Sequence, residues 1–172
     1  MIYTAYADGW MELPGRLVRC ALGPAGVVAA GAKREGDGAS PAGLWPMRRV
    51  LWRSDRSPAP TTRLPLAPIA PDDGWCDAPD DPAYNQPVAL PYPASAERLW
   101  REDRIYDLVV ILGFNDAPVV PGAGSAIFLH LARPDFSPTQ GCVALVATDL
   151  IHLLSLTRPG DAVRIRSGPR GP

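Results

Sequence analysis

The sequence predicts a mainly β fold: a single domain of two packed or partly closed mixed sheets with short helices. Pro (21) and Gly (16) are abundant, which suits a loop-rich sheet protein better than a helical one. Short apolar runs bounded by turn residues recur, and Ile105–Phe114 (IYDLVVILGF) is nearly continuous in β-branched and aliphatic side chains, as a strand buried on both faces would be. Two stretches read as short helices, Ala96–Arg101 after Ser95 and Asp149–Leu156 after Thr148, each behind a hydroxyl residue in the N-cap position.

The elements follow in order. Arg16–Leu22 and Val27–Ala32 flank Gly-Pro-Ala-Gly and predict a hairpin. Gly36–Gly43 is a glycine-rich surface loop; beside Lys33 it invites a phosphate reading, but its spacing fits neither a P-loop nor a dinucleotide fingerprint. Leu44–Trp52 carries two Trp and Pro46 and predicts a bent or edge strand. Prolines at 58, 60, 65, 68 and 71 make the next segment irregular, wrapping over the sheet. The aspartates at 72, 73, 77, 80 and 81 lack EF-hand spacing and read as turn starters. Asp161–Arg166 predicts the last strand.

With 172 residues and 47% apolar side chains, the chain can bury a core as one domain over 1–172, with a short tail at 167–172. A net charge of -1 gives no electrostatic reason to expect a nucleic-acid partner. No apolar run is long enough to predict stable membrane insertion, and MIYTAYADGW lacks the basic start and apolar centre of a secretory leader.

Chemistry concentrates in Ser125–Leu145 (SAIFLHLARPDFSPTQGCVAL). A strand-like run delivers His130, and twelve residues later Gly141 introduces Cys142. A thiol with an imidazole base in reach, on a turn whose glycine admits close backbone approach, is a nucleophile system. A zinc site of His130, Cys142 and His152 lacks a usual ligand spacing, so no metal is expected. Of the other cysteines, Cys20 and Cys76 fit either a disulfide in an oxidising compartment or ordinary buried thiols, and the free-thiol reading is preferred.

Thr139–Leu145 (TQGCVAL), with the preceding His, resembles the S-x-G-C-[IV]-R signature of the L,D-transpeptidase (YkuD-type) catalytic domain. Lys33–Gly43 (KREGDGASPAG) is similar to that family's K-x-x-G-D-x-x-T-P-x-G segment. The resemblance implies a cofactor-free, cysteine-dependent acyltransferase of the periplasm or cell envelope, acting on peptidoglycan stem peptides as donor and acceptor and open to carbapenem inhibition. On the same basis Cys142 is the nucleophile, His130 the base, the Leu131 carbonyl its orienter, and the backbone N–H groups of Gly141 and Cys142 the oxyanion donors. Thr139, Gln140, Arg133 and Asn115 are candidate substrate contacts, Asn115 being equally readable as a turn former. Two positions depart from the signature: Thr139 replaces its Ser, and Ala144 replaces its Arg, for which Arg133 is the candidate stand-in. Donors at either the third or the first stem position (3-3 or 1-3 links) fit these departures. L,D-carboxypeptidase or endopeptidase action, or an inactive peptidoglycan-binding module, are the alternatives, and a depressed Cys142 pKa is expected of a catalyst.

Overall fold

The computed structural model describes residues 1–171. Strand pairing begins at the N-terminus, where Tyr3, Ala5, Met11 and Leu13 point inward and the Asp8-Gly9 and Pro14-Gly15 pairs turn the chain. The result is an antiparallel meander of β1 (Ile2–Tyr6), β2 (Trp10–Leu13) and β3 (Arg16–Arg19). Next come β4 (Val27–Ala29), a 3-10 turn at Ala30–Ala32, the long β5 (Ser40–Trp52) and β6 (Leu66–Pro68). A separate three-stranded sheet holds β7 (Asp73–Cys76), β8 (Pro87–Ala89) and β9 (Ala96–Arg98), with β7 central. The chain ends through β10 (Leu108–Leu112), β11 (Phe128–Leu131), β12 (Val143–Leu145), the helix α1 (Ala147–Leu156) and β13 (Ala162–Arg166).

The main sheet is mixed and runs β12-β11-β10-β5-β13-β1-β2-β3, with β4 and β6 both added to β5. Its two ends meet. Ala21, just past β3, exchanges two backbone hydrogen bonds of 2.9 Å with Ala144 of β12, so the sheet is nearly closed. Closure makes an interior, filled by Tyr3, Met11, Val50, Val110, Leu129, Val163 and the buried face of α1 (Leu150, Leu153, Leu154). The opposite faces of β10 and β11 carry a second cluster, Val109, Ile111 and Phe128, covered by Trp75, Leu99, Ile105 and Tyr106 from around the small sheet. Trp75 meets the Phe128 ring edge-on at 5.2 Å. Thus β10 is buried on both faces, as its composition predicts.

Several expectations are corrected. The predicted hairpin of 16–22 and 27–32 does not form: β3 pairs back with β2, and β4 runs parallel to β5. Residues 44–52 do not form an edge, because β5 is central, with β13 and β10 on successive halves. Pro46 is accommodated where the β5–β10 register shifts beside Leu112, and its carbonyl still accepts from Gly113. The helix expected at 96–101 is instead β9 and a turn: Ala96 pairs with Cys76 and Arg98 with Gly74. Six residues of helix cannot meet the nucleation cost alone, so cross-strand pairing wins. The second helix forms, but from Val146 rather than Thr148 and without a side-chain cap. Cys20 and Cys76 are buried free thiols.

Because α1 is anchored by one buried face, Leu153→Ala, at a fully buried position, is expected to lower unfolding free energy by about 2–5 kcal/mol in urea titrations.

Candidate active site

The lip of the closed sheet carries the site. In register, His130 of β11 pairs with Ala144 of β12, and Leu129 with Val143. Leu129 and Val143 point into the interior, while Phe128 and Cys142 belong to the second cluster on the opposite side. His130 alternates with Leu129 on the same side as Phe128 and Cys142. Cys142 and His130 both line one cavity of about 550 Å³ between the sheet lip and the small sheet.

Two loops hold the cysteine turn. Thr139 Oγ1 donates to the Cys142 carbonyl at 2.7 Å and accepts from Gly141 N–H at 3.1 Å, and Thr139 N–H donates to the Leu22 carbonyl at 3.0 Å. Gly141 sits at φ 120, and a Cβ there would lie 2.6 Å from the Ala39 carbonyl oxygen. Ala39 belongs to the glycine-rich loop, which is closed around Asp37: its carboxylate accepts from Lys33 Nζ (2.5 Å), Ala39 N–H (2.9 Å) and Arg34 N–H (2.8 Å). The two motifs singled out in the sequence therefore pack directly on each other.

Cys142 Sγ donates to the Ala126 carbonyl at 3.2 Å and accepts from Phe128 N–H at 3.3 Å. Ala126 itself is at φ 52, an uncommon left-handed conformation for alanine, with its N–H held by Asn85 Oδ1 at 3.0 Å. His130 Nδ1 lies 2.9 Å from the Leu131 carbonyl. A carbonyl can only accept, so Nδ1 carries the proton and Nε2 keeps its lone pair.

Electrostatically the pair is neutral. Burial pushes the Cys142 thiol up to about 12, with the Glu97 carboxylate adding to it. Burial brings the His130 imidazole down to about 4. The depressed thiol expected from sequence is therefore not present in this resting state.

The other candidates divide. Thr139, Gln140 and Arg133 line the cavity with Cys142. Thr139 serves as the brace of the turn, and Gly141 N–H is committed to it rather than aimed at an oxyanion. Asn115 lies in a different hollow and spends its amide on its own loop, bonding Val120 and Gly124. Its turn-forming reading is the one the geometry matches. Ala144 is buried beside Ala21. The cavity's guanidiniums come instead from Arg101 and Arg133, which share Asp103 at 2.7 and 3.2 Å, and from Arg98. Sequence patterns missed Glu97, Arg101 and Tyr106. Tyr106 packs edge-on against His130 at 5.2 Å and donates to Glu97 Oε1 at 2.7 Å. A polar-charged string read as helix, AERLWR, was the only available signal for Glu97 and Arg101. Among the described residues, no three His, Cys, Asp or Glu side chains converge as metal ligands, and no helix is long and apolar enough to cross a membrane.

Gly141→Ala combines backbone strain with a 2.6 Å clash against Ala39. It is expected to destabilise by roughly 1–3 kcal/mol, read as a lowered Tm, with slowed modification of Cys142 by substrate-like acylating agents.

No curated protein sequence matches the chain. Among solved structures, an L,D-transpeptidase from Mycobacterium smegmatis aligns at 12% identity and TM-score 0.45, over 96% of this chain and 58% of that one. The helical cell shape determining protein Pgp2 from Campylobacter jejuni aligns at 12% identity and TM-score 0.44, over 98% and 48%. This chain thus spans only about half the length of those structures. The sequence profile of the L,D-transpeptidase catalytic domain (YkuD) matches residues 2–165, nearly the whole chain, and the chain belongs to that family.

Proposed function

We propose that the protein is a peptidoglycan L,D-transpeptidase of the cell envelope that uses Cys142 as nucleophile and His130 as base. The observation that carries this reading is the shared cavity: a strand-borne imidazole and a turn-borne thiol both open into it, with His130 Nδ1 anchored on Leu131 so that Nε2 is free to take a proton.

With both groups neutral, no thiolate waits for the substrate. The thiol leaves the Ala126 carbonyl, its proton passes to His130 Nε2, and the sulfur attacks the stem-peptide carbonyl in one coupled step. Cys142 N–H, at the turn's exit, is the oxyanion donor of this scheme, an interaction worth about 3 kcal/mol in acyl transfer. The imidazolium then protonates the departing amine, leaving a thioester. An amine from a second stem restores the thiol and forms the cross-link; water in its place gives carboxypeptidase or endopeptidase products. Arg133 and Arg101, held by Asp103, supply the cationic rim that the residue at Ala144 does not. The rim and the exposed Gln140 accommodate a stem carboxylate, and donors at the third or the first stem position both fit this chemistry.

Incubation with a carbapenem is expected to raise the intact mass by one drug, and Cys142→Ala to abolish the adduct. An adduct that persists in the variant would overturn the assignment.

The pH dependence has a definite sign. His130 is lowered from 6.5 to about 4 by burial, so the unfolded chain binds the proton first as pH falls. Stability present above about 6.5 is lost on descending toward 4, by about 3 kcal/mol. Acylation, which needs neutral His130, should likewise keep its rate down to an acid limb near 4. Iodoacetamide should label the resting Cys142 more slowly than a free cysteine at neutral pH, because burial holds the thiol near 12. A limb near 6.5, or fast labelling, would contradict the neutral pair.

A further inference from the structure

The cavity wall also carries acidic and incompletely bonded groups. Glu35, Asp77 and Glu97 line it together with Ser125. Asp77 Oδ1 and Ser125 Oγ are buried without a hydrogen-bond partner, and Ser125 as a whole is 7% exposed. Orphaned buried oxygens of this kind cost free energy unless a ligand or water meets them. Ser125 leads into Ala126, whose carbonyl accepts the Cys142 thiol, so Ser125 sits next to the nucleophile's own partner, and Asp77 lines the same cavity as the thiol.

Glu97 projects from β9 into the same space. Tyr106 donates to its Oε1 at 2.7 Å. Arg101 is 3.9 Å away, with its short contact on Asp103, so Glu97 is not neutralised by a close two-pronged guanidinium. The groups facing Glu97 are therefore Tyr106, Arg101, Asp77 and Glu35, and its charge is felt at Cys142. Burial, reinforced by Asp77 and Glu35, raises its pKa above the ordinary carboxylate value. A carboxylate raised in this way is a better proton acceptor.

We propose that this wall is the acceptor subsite: Asp77, Ser125 and Glu97 receive a primary ammonium, and Glu97 takes one of its protons. The assignment rests on the transferase reading above. In the step, Glu97 carboxylate removes a proton from the ammonium, and the freed nitrogen lone pair attacks the Cys142 thioester carbon. His130 Nε2 takes a second N–H proton from the tetrahedral adduct. The C–S bond breaks, the sulfur leaves with that proton, and an amide, a neutral thiol and a neutral imidazole remain. Glu97 returns its proton to water. Acylation needs no such base, because the donor carbonyl carries no ammonium, so the role is confined to transfer.

The test is the partition of one acyl-enzyme. Wild type, Glu97→Gln and Asp77→Asn are acylated with a stem tetrapeptide and offered a stem tripeptide ending in a diamino acid. Cross-linked and hydrolysed products are counted by mass spectrometry from about pH 6 to about pH 9, the range in which an amine begins to deprotonate. The ratio is independent of how much enzyme is correctly folded. Glu97→Gln is expected to lower cross-link over hydrolysis about tenfold or more near neutral pH, with the deficit narrowing as pH rises and unprotonated amine becomes available. Asp77→Asn is expected to raise the acceptor concentration needed for half-maximal transfer without changing that needed of the donor. An unchanged ratio in Glu97→Gln, or a loss equal at every pH, overturns the proposal while leaving the transferase reading intact. A wild-type protein that forms no acyl-enzyme, or only hydrolyses it, overturns the transferase reading first and the acceptor subsite with it.

Discussion

The closure between Ala21 and Ala144 is the constraint on which the site depends. Two backbone hydrogen bonds join the ends of a ten-stranded sheet at the residue two past the cysteine, and Thr139 is tied to Leu22 one step along the same seam. A sheet left open there would present an unpaired β12 edge, and the turn carrying Cys142 would hang from one strand. Closed, the turn is fixed from three sides: by β11, by the seam, and by the Ala39 carbonyl beneath Gly141. The buried Ala144 follows from this geometry, since its backbone closes the sheet and its side chain lies in the packed layer. The cavity's guanidiniums, Arg101 and Arg133, reach it from loops and the small sheet's flank.

Burial sets the chemistry as much as the geometry does. The same packing that places Cys142 beside Phe128 and His130 beside Tyr106 removes both from water, and desolvation favours the uncharged form of each. For the thiol, burial and then the nearby Glu97 carboxylate outweigh the Phe128 N–H and the Lys33 charge that favour ionisation, so no ion pair forms at rest. In the proposed mechanism, proton transfer is thereby coupled to substrate arrival, when the developing oxyanion gains its backbone donor. The small sheet makes this possible. Without Trp75, Leu99 and Tyr106 over β10 and β11, the cavity would be a solvated rim.

How much could be read in advance depended on whether a residue's role is local. The run at 105–114 declares a doubly buried strand because β-branched side chains on both faces fit nothing else. The His, the Gly-Cys turn and the glycine-rich loop were legible because each chemistry needs particular residue types at fixed spacing. The N-terminal meander was missed, although its alternating side chains and turn glycines were present, and AERLWR was misread because local helix propensity ignores a partner strand twenty residues earlier. Asn115 offered two local readings, and its bonds to Val120 and Gly124 match the turn-forming one.

By itself, then, the sequence determined the class of fold, the strand-borne His130 and the turn-borne Cys142, because periodicity, glycine placement and nucleophile chemistry are written in neighbouring residues. Tertiary structure alone decided which strands pair, that β5 lies at the centre, that Ala21 meets Ala144, and that Glu97, Asp77 and Ser125 share a cavity with the thiol. Those facts depend on contacts between residues tens of positions apart, and on the desolvation such contacts impose, which no local pattern encodes.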